Sequence, residues 1–150
     1  MVKSDESAGG FIQSIVVASV DQLRVNANLS NGKLGIIGFS MGADWSLNLS
    51  TLRPNDIGAV VVFYGAYPID FKPAQAAFQG HFAEHDDYVP LDNVRQTEAA
   101  MKSVGLSTDF HIYPDTGHWF FEDNQSDAYN AAAAQLAWER TLKFLRAKLS

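Results

Sequence analysis

Apolar positions along the chain fall into alternating helical and strand-like patterns. Ile12, Ile15, Val16 and Leu23 recur at helical spacing with Gln13, Ser14, Asp21 and Gln22 between them, which predicts an amphipathic first helix. Ser30-Asn31-Gly32 reads as a turn, and Leu34 to Ile37 is a short apolar run without alternation. Such a run suits a strand covered on both faces, as in a parallel sheet. A helix is predicted over Ala43 to Leu52, stopped by Arg53-Pro54-Asn55-Asp56, and a second buried strand over Ile57 to Tyr64. Further strands are expected at Ala76 to Ala83 and Thr108 to Tyr113, the latter ending at Pro114, with a helix over Asn93 to Ser103 between them. Ser126 is placed to cap a last helix whose stripe is Ala134, Trp138, Leu142, Leu145 and Leu149. Strands and helices thus alternate, which implies right-handed crossovers and a mostly parallel sheet with helices on both faces: an α/β fold of about four strands.

Length and composition narrow the function. A chain of 150 residues suits one domain, 1–150, and 47% hydrophobic against 19% charged residues is an ordinary globular balance. The net charge of -6 gives no electrostatic support for binding nucleic acid or an anionic membrane, so small molecules or other proteins are the expected partners. There is no cysteine, hence no thiolate nucleophile or thiolate metal site. Lys3 followed by Phe11 to Val20 has some look of a signal peptide, but Asp5 and Glu6 stand where positive charge is needed. Ile15 to Val20, the longest apolar run there, is far short of a span. A soluble, cytoplasmic protein is the expectation.

The chemistry is concentrated after the strands. Gly38-Phe39-Ser40-Met41-Gly42 follows a strand and opens a helix, the setting of a nucleophile elbow. There a strained turn lifts a serine hydroxyl clear of the sheet, and glycines on either side let helix and strand approach. The Met41 N–H then points to where an oxyanion forms, at the positive end of a helix. A plain glycine-rich turn is the structural alternative. Serine needs a base and the base needs an orienting acid. His118, in Asp115-Thr116-Gly117-His118, follows the fourth strand, where open α/β sheets place their sites. His111 reads as a packed strand residue. His81 and His85, near Asp86 and Asp87, could be taken for metal ligands, but their strand-like surroundings favour ordinary packing, and no metal is expected. With an aspartate from Glu84-His85-Asp86-Asp87-Tyr88, the chain order is Ser, Asp, His, the order of α/β-hydrolases.

These residues together resemble the dienelactone hydrolase family. Its members carry G-x-C-x-G or G-x-S-x-G, an aspartate in D-x-x-V-P and a G-H pair. The chain has Gly38-Phe39-Ser40-Met41-Gly42, Asp86-Asp87-Tyr88-Val89-Pro90 and Gly117-His118, separated by 46 residues from Ser40 to Asp86 and 32 from Asp86 to His118. Tyr64-Gly65 resembles a family feature too. The resemblance implies an α/β-hydrolase fold without cofactor, Ser40 as nucleophile, His118 as base, and Asp86 rather than Asp87 as the orienting acid. Ester hydrolysis through an acyl-enzyme is the implied reaction. Phe39, Tyr64 and Trp119 are the expected substrate-binding positions.

The resemblance begins at the helix before the nucleophile strand, so the strands that family members place ahead of it are expected to be absent, leaving a half-size fold. Leu34 to Ile37 then becomes an exposed apolar edge, and a homodimer covering it, with an eight-stranded sheet, is expected. The usual second oxyanion donor also lies in the absent part, and losing such a donor costs about 3–4 kcal/mol. Trp119, Phe120, Phe121 and Glu122 are apolar and then anionic, so an uncharged ester with a small or aromatic acyl group is the expected substrate. A peptidase or thioesterase on the same residues is one rival. A catalytically weak or inactive homologue acting as a binding subunit is the other.

Overall fold

The computed structural model describes residues 3–26 and 32–150. The elements run α1 (Lys3–Asn26), β1 (Leu34–Phe39), α2 (Met41–Leu52), β2 (Ile57–Phe63), β3 (Ala77–His85), α3 (Leu91–Ser103), β4 (Thr108–Gly117) and α4 (Ala131–Leu149). The four strands form one parallel sheet in the order β1-β2-β3-β4. Of the turn expected at Ser30-Asn31-Gly32, Ser30 and Asn31 lie outside the described residues, while Gly32 takes φ 73°, a conformation that suits glycine.

β2 explains why an unbroken apolar run is a strand here. Val60 and Val62 face one hydrophobic cluster with Val20 of α1, Leu47 of α2 and Met101 of α3. Ala59, Val61 and Phe63 face the other, with Ala137 and Phe144 of α4. The sheet is therefore covered on both sides, by α1, α2 and α3 on one and α4 on the other.

Three expectations need correction. α1 buries a narrower face than its pattern suggests: Val16, Val17 and Val20 meet the core, while Ile15 and Leu23 are exposed. α4 is capped not by Ser126 but by Asn130, whose side chain accepts the Ala133 N–H at 3.0 Å. Its buried face is Ala133, Ala134, Ala137, Thr141 and Phe144, so Trp138 lies 41% exposed. Finally, β4 does not stop at Pro114. It is an edge strand, where a missing N–H is tolerated, and it runs on through an irregularity in which Tyr113 pairs Ala83 but Gly117 pairs His85.

A buried polar cluster lies beneath α4. His81 is fully buried, with Nδ1 2.8 Å from the Tyr113 hydroxyl and Nε2 3.1 Å from Gln79 Oε1 and 3.0 Å from Thr141 Oγ1. Burial first, then the neighbouring His111 and Arg140, push its pKa down to about 3. His111 stacks on it at 5.7 Å and is half-buried.

Candidate active site

Ser40 sits between β1 and α2 with φ 50° and ψ -122°. Its N–H donates to the Phe63 carbonyl at 3.0 Å, and its carbonyl accepts the Ala43 N–H at 2.9 Å. Close approach dictates the neighbours. A Cβ on Gly38 would lie 2.4 Å from the Gly42 carbonyl oxygen, and one on Gly65 would lie 2.5 Å from the Ala43 Cβ and 2.6 Å from the Ser40 oxygen. Gly42, expected to matter sterically in the same way, has no atom within 4 Å of such a Cβ. The second glycine the turn requires is thus Gly65, from the next strand, and not the last residue of the motif.

The other two residues arrive from neighbouring strand ends. Asp86 follows β3, and its Oδ1 accepts the N–H groups of Tyr88 and Val89, both at 2.9 Å. His118 follows the irregular end of β4, and its Nδ1 lies 2.8 Å from Asp86 Oδ2 and 3.0 Å from Oδ1. His118 Nε2 in turn lies 3.1 Å from Ser40 Oγ. Both partners are shielded from water, with side-chain exposures of 5% for His118 and 2% for Asp86. In such surroundings a carboxylate–imidazole contact is stronger than in bulk solvent. The arrangement can take a proton from Ser40 and hold the resulting imidazolium.

Rings fix the imidazole. Tyr64, Tyr88 and Trp119 stand 4.8, 4.9 and 4.8 Å from it between centroids. Among the described residues, four non-glycine residues have positive φ: Ser40, Tyr64, Asp115 and Trp119. All lie at or beyond the carboxyl ends of strands around this site, where strain of this kind collects.

Met41 is the first residue of α2, with its side chain 67% exposed. Phe39 and Trp119 are half-buried. Trp119 and Tyr88 border a cavity of about 540 Å³ beside His118, and Phe39 and Phe121 border a second of about 540 Å³. Tyr64, expected at the substrate surface, is instead fully buried, and its hydroxyl donates to Glu122 Oε1 at 2.6 Å. Burial first, then the Glu122 carboxylate, hold that hydroxyl well above its ordinary pKa, so it stays a donor. Asp87 is exposed, as expected of a loop residue. His81 is committed to the core, whereas His85 stands exposed near Glu84 and Asp115, whose ligand atoms lie within 4.8 Å of one another. The parts missed by sequence reading are the ring contact of Tyr88 with His118, the steric role of Gly65 and the Tyr64–Glu122 bond. Tyr88 could have been found from its place inside the D-x-x-V-P motif.

A parallel sheet with a serine at such an elbow, and aspartate and histidine from the following strand ends, defines an α/β-hydrolase fold. The sequence profile of the dienelactone hydrolase family matches residues 2–149, and the chain belongs to that family. It is 29% identical over 142 residues to Protein usf of Aquifex pyrophilus, covering 93% of this chain and 62% of that one. It is 26% identical to a putative carboxymethylenebutenolidase of Synechocystis, covering 97% of this chain and 63% of the relative. The structure of a putative dienelactone hydrolase from Klebsiella pneumoniae superposes with a TM-score of 0.76 at 20% identity, covering 87% of this chain and 60% of that one. The chain thus spans under two thirds of the length of these relatives. Among the described residues no helix is long and apolar enough to cross a membrane.

Proposed function

We propose that the chain is a serine hydrolase acting on carboxylic esters. The observation that carries this reading is the unbroken contact series from Asp86 through both nitrogens of His118 to Ser40 Oγ, with the Asp86 and His118 side chains shielded from water. His118 Nε2 takes the Ser40 proton as Oγ attacks the ester carbonyl, and the Met41 N–H stabilises the oxyanion. His118 then returns the proton to the departing alkoxide, leaving an acyl group on Oγ. Water, deprotonated by the same nitrogen, attacks that acyl group; the tetrahedral intermediate collapses to release the acid, and Oγ regains its proton. Asp86 keeps Nδ1–H oriented throughout and stabilises the imidazolium.

Phe39 and Trp119 are the proposed substrate contacts. Among the described residues, no lysine or arginine borders the cavity beside His118 or the one beside Phe39. That lining supports an uncharged ester over a substrate bearing a carboxylate. Hydrolysis of p-nitrophenyl acetate by the native chain and by Ser40→Ala tests the reading. Turnover is expected in the native chain and is expected to drop to the uncatalysed background in the variant, a loss of at least about 10³-fold. Equal rates in two well-folded proteins would leave the binding-subunit reading in its place.

A further inference from the structure

Tyr64 is a buried hydroxyl for which the chemistry above has no use. It directly follows β2 with φ 36°, a strained backbone, and its N–H is tied to the His81 carbonyl at 2.8 Å. One side of its ring meets His118 at 4.8 Å, and Phe120 stands edge-on at 5.8 Å. Its hydroxyl reaches Glu122, four residues beyond His118, across 58 positions of sequence. We propose that the Tyr64–Glu122 hydrogen bond is a positioning device that clamps the His118 loop to the end of β2, so that Nε2 stays aimed at Ser40. This rests on the Ser40–His118–Asp86 reading.

The loop needs such a clamp. Beyond β4 the chain turns sharply, with Phe120 N–H on the Gly117 carbonyl at 3.2 Å, Glu122 N–H on the Trp119 carbonyl at 2.9 Å, and Trp119 at φ 65°. Phe120 is fully buried, and its carbonyl accepts the Asn130 N–H at 2.9 Å, so the middle of the turn is held. Neither contact defines the plane of the imidazole. Asp86 grips one nitrogen, and Tyr88 and Trp119 meet the ring at 4.9 and 4.8 Å, which leaves it free to tilt toward the end of β2. The Tyr64 ring against the imidazole removes this freedom, and the Tyr64 ring is itself fixed by where its hydroxyl is bound. A bond from a neutral donor to a carboxylate is among the stronger hydrogen bonds, and the fully buried Tyr64 hydroxyl has no water to turn to, while Glu122 is half-buried. Full burial of Tyr64 means that substrate does not reach it, so it acts through His118 and not by contact.

The test compares Tyr64→Phe, Glu122→Ala and Glu122→Gln in the intact chain. Tyr64→Phe keeps the ring and removes the donor, Glu122→Ala removes the acceptor, and Glu122→Gln keeps an acceptor oxygen. With p-nitrophenyl acetate, kcat is expected to fall about tenfold in the first two with KM within about twofold, and to recover most of the way in the third. The proton NMR signal of His118 Nδ1–H in its bond to Asp86 should be sharp in the native chain and in Glu122→Gln, and broadened in the other two. A merely structural role would lower the melting temperature and leave both readouts alone. Folded Tyr64→Phe with native kcat, or with a native His118 signal, overturns the proposal. Absence of Ser40-dependent turnover in the native chain counts against the hydrolase reading instead, and the NMR comparison then decides the clamp by itself.

Discussion

At the scale of single residues, steric contact accounts for which glycines the elbow requires. Gly38 and Gly65 face backbone or a Cβ at 2.6 Å or less, with no flexible side-chain end among Gly65's neighbours to give way. Gly65→Ala is therefore expected to cost about 1–3 kcal/mol in urea unfolding and to slow Ser40 chemistry, since the added methyl pushes on the Ser40 carbonyl. Gly42→Ala meets open space and is expected to be neutral or slightly stabilising, as alanine suits a helix better than glycine. Similar losses in both variants would contradict this division. The motif was legible in sequence as a motif, but motif and steric need are different things. Gly65 lies outside G-x-S-x-G, and only the packing of β2 against the elbow reveals it.

At the scale of elements, what was legible followed from repetition and what was not followed from tertiary register. The apolar runs of β1 and β2 and the chemistry-bearing ends of β1, β3 and β4 were readable because a parallel sheet buries its strands and leaves their carboxyl ends open. The extension of β4 through Pro114 was not, because only its place at the edge and its irregular pairing with β3 permit it. Neither was the Asn130 cap, since Ser126 and Asn130 are equally good capping residues by type. The polar cluster that joins β3, β4 and α4 around His81 also escaped, because its members read separately as strand and helix residues. That cluster has a consequence for stability. The folded state holds His81 near pKa 3 against an ordinary 6.5, so above pH 6.5 both states carry it neutral and nothing is lost. As the pH falls from 6.5 toward 3, the unfolded chain binds a proton that the folded chain refuses, and stability drops by up to about 1.4 kcal/mol per pH unit. Urea midpoints between pH 6 and 4 should fall less steeply for His81→Gln than for the native chain. Parallel slopes would show that His81 is not a source of acid sensitivity.

At the scale of the whole molecule, β1 is the feature that asks for a partner. Among the described residues it pairs only with β2, and beside it an apolar cavity of about 270 Å³ runs between Val16, Val20 and Leu23 of α1 and Leu34, Ile36 and Ile37 of the strand. Phe11 and Ile15 lie exposed on the same helix. We propose that the 150-residue chain closes this edge with a second copy, strand against strand about a two-fold axis. Sedimentation at micromolar concentration should give twice the 16.4 kDa chain mass, and Leu23→Lys should shift it toward monomer. A clean monomer for the native chain sinks the proposal.

The order of the sheet bears on the proposed site as well. Among the described residues, strands pair in the order in which they occur, each with its immediate predecessor. Ser40 stands at the first strand and His118 beyond the last, 78 residues later. The hydroxyl and the proposed base thus come from opposite ends of the strand order, and the two meet only where β4 is docked. A sheet lacking β4 would present Ser40 without its proposed base.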